Sequence, residues 1–214
     1  QNTHRVLEIG AGIGSITDVL SPYPELIATD LNPERVEHLK LRFKDRPNIQ
    51  AHVWDATQDH ENPLTPQCVA RGDFDLLVAF NVLEHLADHE QALRNWGRLL
   101  KPNGTLILLV PYSQRLFSSI DHAVGHYRRY NPADLRGVLG SAGFVQTCLR
   151  FINPLGILGW VINGKILKRK ELPVGQVRLY ARLKPLLVPL ETLCSKRFGL
   201  GMLAAAQKIT KGRN

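Results

Sequence analysis

The sequence predicts a mostly parallel α/β sheet covered by helices on both faces, and three observations predict it. Short apolar runs alternate with stretches of helical spacing along residues 5–150, the rhythm of βαβ units. The first run, "RVLEI", ends directly on the glycine-rich turn "GAGIG", Gly10–Gly14, as where a strand hands over to a ligand-binding helix N-terminus. The second run, "LIATD", ends on Asp30, twenty residues after Gly10. With 214 residues, 44% hydrophobic and 21% charged, the chain suits a single domain, 1–214, with a sizeable core.

Each element follows in order. After "RVLEI" comes "SITDVL", read as a helix that "SPYP" stops. "LIATD" is the second strand. Asn32 and Pro33 then serve as N-cap and first helical residue, with Val36, Leu39 and Phe43 at helical spacing. "IQAHVWD" is the third strand, and a Pro-rich loop leads through a short segment near "QCVARG" to "FDLLVAF", a buried fourth strand. Asp88 caps a helix that presents Ala92, Leu93, Trp96, Leu99 and Leu100 on one face and is expected to end at "KPNG". "TLILLV" is the fifth strand, "NPADLRGVLGSAGF" a capped helix and "VQTCLRFI" the sixth strand, in which Cys148 reads as core filler. Residues 153–197 break the rhythm as an insertion or cap with 9 Lys/Arg against 2 Asp/Glu. "GMLAAAQKI" closes the chain as one last strand.

Charge divides the chain. Residues 1–110 carry 10 Lys/Arg against 15 Asp/Glu, a net of −5, and residues 111–214 carry 17 against 4, a net of +13. The second half is therefore expected to attract an anion: a nucleic acid, a lipid headgroup or an acidic small molecule. Cys68, Cys148 and Cys194 lack metal or redox spacing, which favours reduced thiols in a cytoplasmic protein. The chain opens on Gln1 without a signal-peptide layout, and sequence ahead of it is expected to be missing.

The glycine turn invites a nucleotide-like ligand. A dinucleotide site places its last small residue at position 15, where this chain has Ser15; the spacing here is G-x-G-x-G. Asp30 suits both ligand classes, because its carboxylate can take two ribose hydroxyls. Glu8 separates them: two residues before Gly10 it repels a pyrophosphate and welcomes a sulfonium or ammonium. Asp55 ends the third strand, where it can accept from an adenine amino group. In "LEIGAGIG", "ATDLNPE", "WDAT", "FDLLVAFNVLEHLAD" and "LLKPNGTLILLVP", the sequence resembles class I S-adenosylmethionine-dependent methyltransferases of the small-molecule type.

The resemblance implies a Rossmann-like α/β/α sandwich with a seven-stranded sheet. Its last strand, "GMLAAAQKI", would run antiparallel between the fifth and sixth. It implies S-adenosylmethionine as cofactor and S-adenosylhomocysteine as product. Glu8, Gly10, Ala11, Gly12 and Gly14 would face the methionine end, Asp30 beside Leu31 the ribose, Asp55 with Ala56 the adenine edge, and Asn81 would line the site.

Two filters bear on the acceptor. The fourth strand is followed by Asn81-Val82-Leu83-Glu84 rather than an Asn/Asp-Pro-Pro-aromatic pattern, and no cysteine follows a proline; both speak against nucleic-acid bases. His85 lies at the carboxyl edge of the sheet, where open α/β sheets bind ligands. "DHAVGHYRRYNP", read as one loop on the same edge, adds His122 and His126 as base candidates and Tyr127, Arg128 and Arg129 as acceptor contacts. His85/His89 and His122/His126 share i, i+4 spacing, but Gly125 breaks the second pair, and no metal is expected.

The apolar run "PLGILGWVI", which supplies Trp160 as a further acceptor-contact candidate, precedes "KILKRK". At 9 residues it is far short of the ~20 that span a bilayer. It reads as an active-site cap that also meets an anionic membrane surface or a lipid-like acceptor. The expectation is O-methylation of a small anionic or hydroxylated acceptor: a sugar, carboxylic acid, or lipid-linked or natural-product intermediate. The rivals are an RNA methyltransferase and a non-catalytic binding module.

Overall fold

The computed structural model describes residues 4–59, 61–63 and 65–209. The first half builds β1 (Arg5–Ile9), α1 (Ser15–Leu20), β2 (Glu25–Asp30), α2 (Pro33–Arg42), β3 (Ile49–Val53), α3 (Gln67–Ala70) and β4 (Phe74–Phe80). Then come α4 (His89–Leu99), β5 (Leu100–Pro111), α5 (Ser119–Val124), α6 (Pro132–Ser141) and β6 (Phe144–Ile152). The cap contributes α7 (Gly156–Trp160) and α8 (Val174–Cys194), and β7 (Gly201–Lys208) ends the described chain. The strands form one seven-stranded sheet in the order β3-β2-β1-β4-β5-β7-β6. β7 is antiparallel to both neighbours, and helices flank both faces. The order reverses between β1 and β4, so the loops after these two strands open a crevice at the carboxyl edge.

Local chemistry fixes the helix starts. The Asn32 side chain accepts from Glu34 N at 2.8 Å with Pro33 at the first helical position, and Asp88 accepts from Gln91 N at 2.9 Å. Asn131 and Asp134 form a capping box. The main core gathers Leu7, Phe74, Leu77, Trp96 and Phe144, all essentially inaccessible to water. Trp96 also donates Nε1–H to the Ala56 carbonyl at 2.9 Å, so one core side chain anchors the loop after β3.

Three local readings change. The helix ends at Leu99, and "KPNG" lies within β5; Leu100 already turns extended and pairs with Phe74, ahead of a register irregularity. Cys148 is exposed rather than in the core, because β6 is an edge strand whose register shifts between Gln146 and Cys148. The segment read as one loop after β5 is helical at its start: Ser118 and Asp121 form a capping box for α5, and Gly125 ends it at φ 81°.

Candidate functional site

The crevice is built first by the turn after β1. Gly10 N and Ala11 N both donate to the Thr29 carbonyl, at 2.8 and 2.9 Å, which clamps the turn onto the end of β2. Asp30 is 5% exposed; its two oxygens accept from Gly12 N and Asn32 N, both at 2.9 Å, and Arg35 stands 3.7 Å away. Gly14, at φ 87°, has no room for a side chain, because an added Cβ would stand 2.8 Å from Leu39 and Phe43. The close approach it permits is therefore to α2, not to the strand. A Cβ on Gly12, in contrast, would meet nothing within 4 Å: that face of the turn is open.

Beside the turn lies a cavity of about 240 Å³ lined by Glu8, Gly10, Ala11, Ser15, Asn81 and Leu109. Glu8 is 3% exposed and accepts from Thr17 Oγ1 at 2.6 Å. Burial, reinforced by the nearby Asp30 charge and only partly offset by Thr17, pushes its carboxyl up to about 7. The donor set fits the cofactor implied above: an uncovered glycine backbone, a cavity and a buried acid for a cationic group. A carboxyl raised from 4.5 to about 7 is a stability statement as well. The folded state holds its proton more tightly than the unfolded chain, so this contribution is complete below pH 4.5 and fades as pH rises through 7. We expect the ligand-free protein to lose roughly 3 kcal/mol more between pH 4.5 and 7.5 than Glu8→Gln does. Denaturant titrations at both pH values measure this. Parallel curves for the two proteins would remove the buried-acid reading.

Asp55 and Ala56 stand at the end of β3, away from that cavity's lining. The Asp55 carboxylate accepts from Thr57 N at 2.9 Å and Thr57 Oγ1 at 2.7 Å, while Leu31 is 66% exposed beside Asp30. These residues define a half-open edge rather than a pocket.

A second constellation forms across the crevice. Glu84 is fully buried, in the turn that follows Asn81. Neither of its carboxylate oxygens has a hydrogen-bond partner in another residue. Burial drives its carboxyl up to about 7 against the opposing influence of His126 and Arg129. His126 points Nε2 at Glu84, 3.8 Å away, and places Nδ1 2.8 Å from Asp121 Oδ1. The His85 ring meets the His126 ring edge-on at 4.6 Å. His122 is exposed, its ring set against Phe117 at 4.8 Å. Asp121, also fully buried, gathers Ser118 N, Ser118 Oγ, His126 and Arg129 Nε. Burial alone would raise its pKa, but the His126 and Arg129 hydrogen bonds outweigh it and hold Asp121 below the usual carboxylate range.

The two arginines are engaged inside the fold. Arg129, expected to grip an acceptor, is 4% exposed, bound to Asp121, and stacked 4.4 Å from the Trp160 ring. Its cost of burial is met by that acid, so it organises the site and does not reach out from it. Arg128 donates to the Leu86 and Ala87 carbonyls, both at 2.8 Å, which fastens the turn after β4. Tyr127 is 60% exposed next to it. Glu84 and Asp121 were missed as site residues, although both stand inside quoted motifs. Their burial and pairing are tertiary properties without a sequence signal.

Residues 153–197 pack against this side. Ser119 Oγ donates to the Gly164 carbonyl at 2.8 Å, and Trp160 Nε1 to the Leu116 carbonyl at 3.0 Å. Between α7 and α8 lies a cavity of about 620 Å³ lined by apolar side chains, among them Leu155, Ile157, Leu158, Val161 and Leu187. A smaller one of about 210 Å³ adds Trp160 and Tyr180. Among the described residues, no helix is long and apolar enough to cross a membrane.

Comparison with known proteins agrees with this geometry. A family model described as "Methyltransferase domain" matches residues 7–106. A probable S-adenosylmethionine-dependent methyltransferase of Mycobacterium tuberculosis is 29% identical over 147 residues, 67% of this chain and 50% of that protein. A highly reducing polyketide synthase of Penicillium soppii is 35% identical over 114 residues, 49% of this chain and 4% of the synthase. The chain thus spans half or less of the length of these relatives. Among solved structures, the YcgJ protein of Bacillus subtilis superposes with a TM-score of 0.65 at 19% identity, covering 99% of this chain and 94% of that one. This last likeness concerns the fold.

Proposed function

This chain belongs to the class I S-adenosylmethionine-dependent methyltransferase family, and from that premise we propose that it methylates an oxygen of a small, anionic or hydroxylated acceptor carrying an apolar, lipid-like portion. The observation that carries the reading is the open apolar groove of about 620 Å³ between the basic-segment helices α7 and α8, which follow β6 at its carboxyl end. S-Adenosylmethionine supplies a methyl group already activated on a sulfonium: the C–S bond breaks as the new C–O bond forms, and the electron pair stays on sulfur. The chain's own part is orientation, exclusion of water and removal of the hydroxyl proton. Orientation alone is worth roughly 7–11 kcal/mol of barrier. We assign removal of that proton to the Glu84, His85 and His126 cluster, in and facing the turn after β4.

The cap also supports contact with an anionic membrane surface, where such acceptors reside. Leu158, Ile166, Leu179 and Leu186 are 69, 67, 57 and 79% exposed, amid the 9 Lys/Arg of residues 153–197. Apolar side chains interleaved with cations suit an interface, not a span. The Penicillium synthase favours a second reading, an acceptor of polyketide type.

Transfer of labelled methyl from S-adenosylmethionine decides among these. Acceptors are hydroxylated or carboxylated, presented free or on lipid tails in anionic vesicles. We expect turnover on the lipid-tailed hydroxyl acceptor, with Asp30→Ala lowering cofactor affinity about 10- to 100-fold through lost charge-assisted hydrogen bonds. Turnover on RNA alone, or an O-methyl signal absent from the product spectrum, defeats the proposal.

A further inference from the structure

Glu84, His85 and His126 present three ligand atoms that all lie within 4.8 Å of one another. Each has the form a cation requires. The Glu84 carboxylate is fully buried, and no other residue donates to it. His126 directs Nε2 toward that carboxylate, while its other nitrogen is 2.8 Å from the Asp121 carboxylate. Asp121 accepts, so Nδ1 carries a proton toward it and Nε2 is the ring nitrogen that faces Glu84. The Asp121 carboxylate thus orients the His126 ring from behind, the arrangement that metal-ligating histidines show. The His85 ring lies beside Gly125 and meets the His126 ring edge-on. The Glu84 oxygens have no hydrogen-bond partner in another residue, and a buried polar group left so is costly in a dry interior. Charge points the same way. Arg129 pairs with Asp121, which leaves Glu84 as a buried acid whose nearest cationic neighbour is the His126 ring.

We propose that Glu84, His85 and His126 form a binding site for one divalent first-row metal ion. One carboxylate and two imidazoles select Mn²⁺, Fe²⁺ or Zn²⁺ over the all-oxygen preference of Ca²⁺ and Mg²⁺. Three protein ligands leave positions open for oxygens of an acceptor, whose hydroxyl such an ion acidifies. This role for the ion rests on the methyltransferase reading; the binding itself does not. The position fits that use: the turn bearing Glu84 and His85 begins at Val82, whose side chain packs against Gly10 of the cofactor turn. The sequence carried no expectation of a metal, and the ligand set proposed here crosses between the two i, i+4 histidine pairs and uses neither of them whole. His85 and His126 come from different elements, which is why their spacing in sequence carries no signal.

The full chain, stripped with a chelator, is titrated with Mn²⁺ and followed by loss of the free-ion paramagnetic resonance signal, then with Zn²⁺ by calorimetry. We expect one saturable site per chain. Glu84→Gln should weaken it at least 10-fold while circular dichroism stays native, and His85→Ala provides a second variant should the first fail to fold. S-Adenosylmethionine is titrated in parallel. Cofactor binding without any saturable Mn²⁺ or Zn²⁺ binding overturns the metal site and leaves the methyltransferase reading standing. Metal binding without cofactor binding does the reverse. Equal metal affinity in wild type, Glu84→Gln and His85→Ala would place the ion elsewhere and defeat the assignment.

Discussion

Asp121→Ala is expected to cost the fold about 3–5 kcal/mol, a large part of the stability of a domain of this size. Asp121 is 0% exposed and Arg129 is 4% exposed. Its carboxylate receives Arg129 Nε and His126, each at 2.8 Å, together with Ser118 N and Oγ. Alanine leaves the guanidinium buried without its paired acid, with the Tyr112 carbonyl at 3.3 Å, the Trp160 ring and the Glu84 carboxyl nearby. A cation stacked on indole recovers at most about 2 kcal/mol when desolvated, which does not replace a charge-assisted pair. The N-terminus of α5 loses its capping box at the same time, for about another 1 kcal/mol. Asp121→Asn should cost less, because an amide oxygen still accepts from Ser118 N. Denaturant unfolding measures all three proteins. A double variant, Asp121→Leu with Arg129→Met, removes both charges and is expected to be more stable than Asp121→Ala alone. A loss under 1 kcal/mol in Asp121→Ala would mean that water reaches Arg129 and that this region is not the buried hub described.

The same residue shows what can be read in a sequence and what cannot. The antiparallel β7 between β5 and β6 was legible only through the family resemblance, whereas the helix caps at Asn32, Asp88 and Asn131 are consequences of local patterns, polar residues before apolar stripes and proline at the first helical position. Glu8 and Asp30 were legible for a similar reason, since their distance from Gly10 along the chain sets their place at adjacent strand ends. The second constellation was legible only in part. "EH" and "GHYRRY" stand about 40 residues apart, and their meeting depends on how α5 packs after β5. A fully buried Arg129 and an exposed Tyr127 look alike in sequence, as two polar neighbours in a basic stretch. Cys148 failed for the converse reason: apolar neighbours suggested a core position, but β6 lies at the sheet edge. Edge position is a property of the whole topology.

Gly10→Ala is expected to reduce S-adenosylmethionine affinity at least 30-fold while leaving the sheet intact. Gly10 sits at φ 74°, and an alanine Cβ there would lie 2.4 Å from Val82 Cγ2. Two costs follow. The left-handed backbone is worth roughly 1–2 kcal/mol against alanine, and overpacking against Val82 adds about 1–3 kcal/mol. The ligand-free turn can relax by shifting away from Val82, since Gly12 beyond it has open space. Binding must then restore the strained conformation, so the cost enters the affinity and not the unfolding free energy. At about 2 kcal/mol the loss is roughly 30-fold, and it grows as the relaxed turn becomes more stable. The two contributions separate in the double variant Gly10→Ala, Val82→Ala, which opens room for the methyl group but leaves the backbone angle unchanged. Calorimetry should show it regaining the packing share and staying below wild type by the dihedral share. Full recovery would assign the whole effect to the clash with Val82, and no recovery would assign it to the backbone. An unchanged affinity in Gly10→Ala would mean that the cofactor does not approach this turn, and the cavity beside Glu8 would need another ligand.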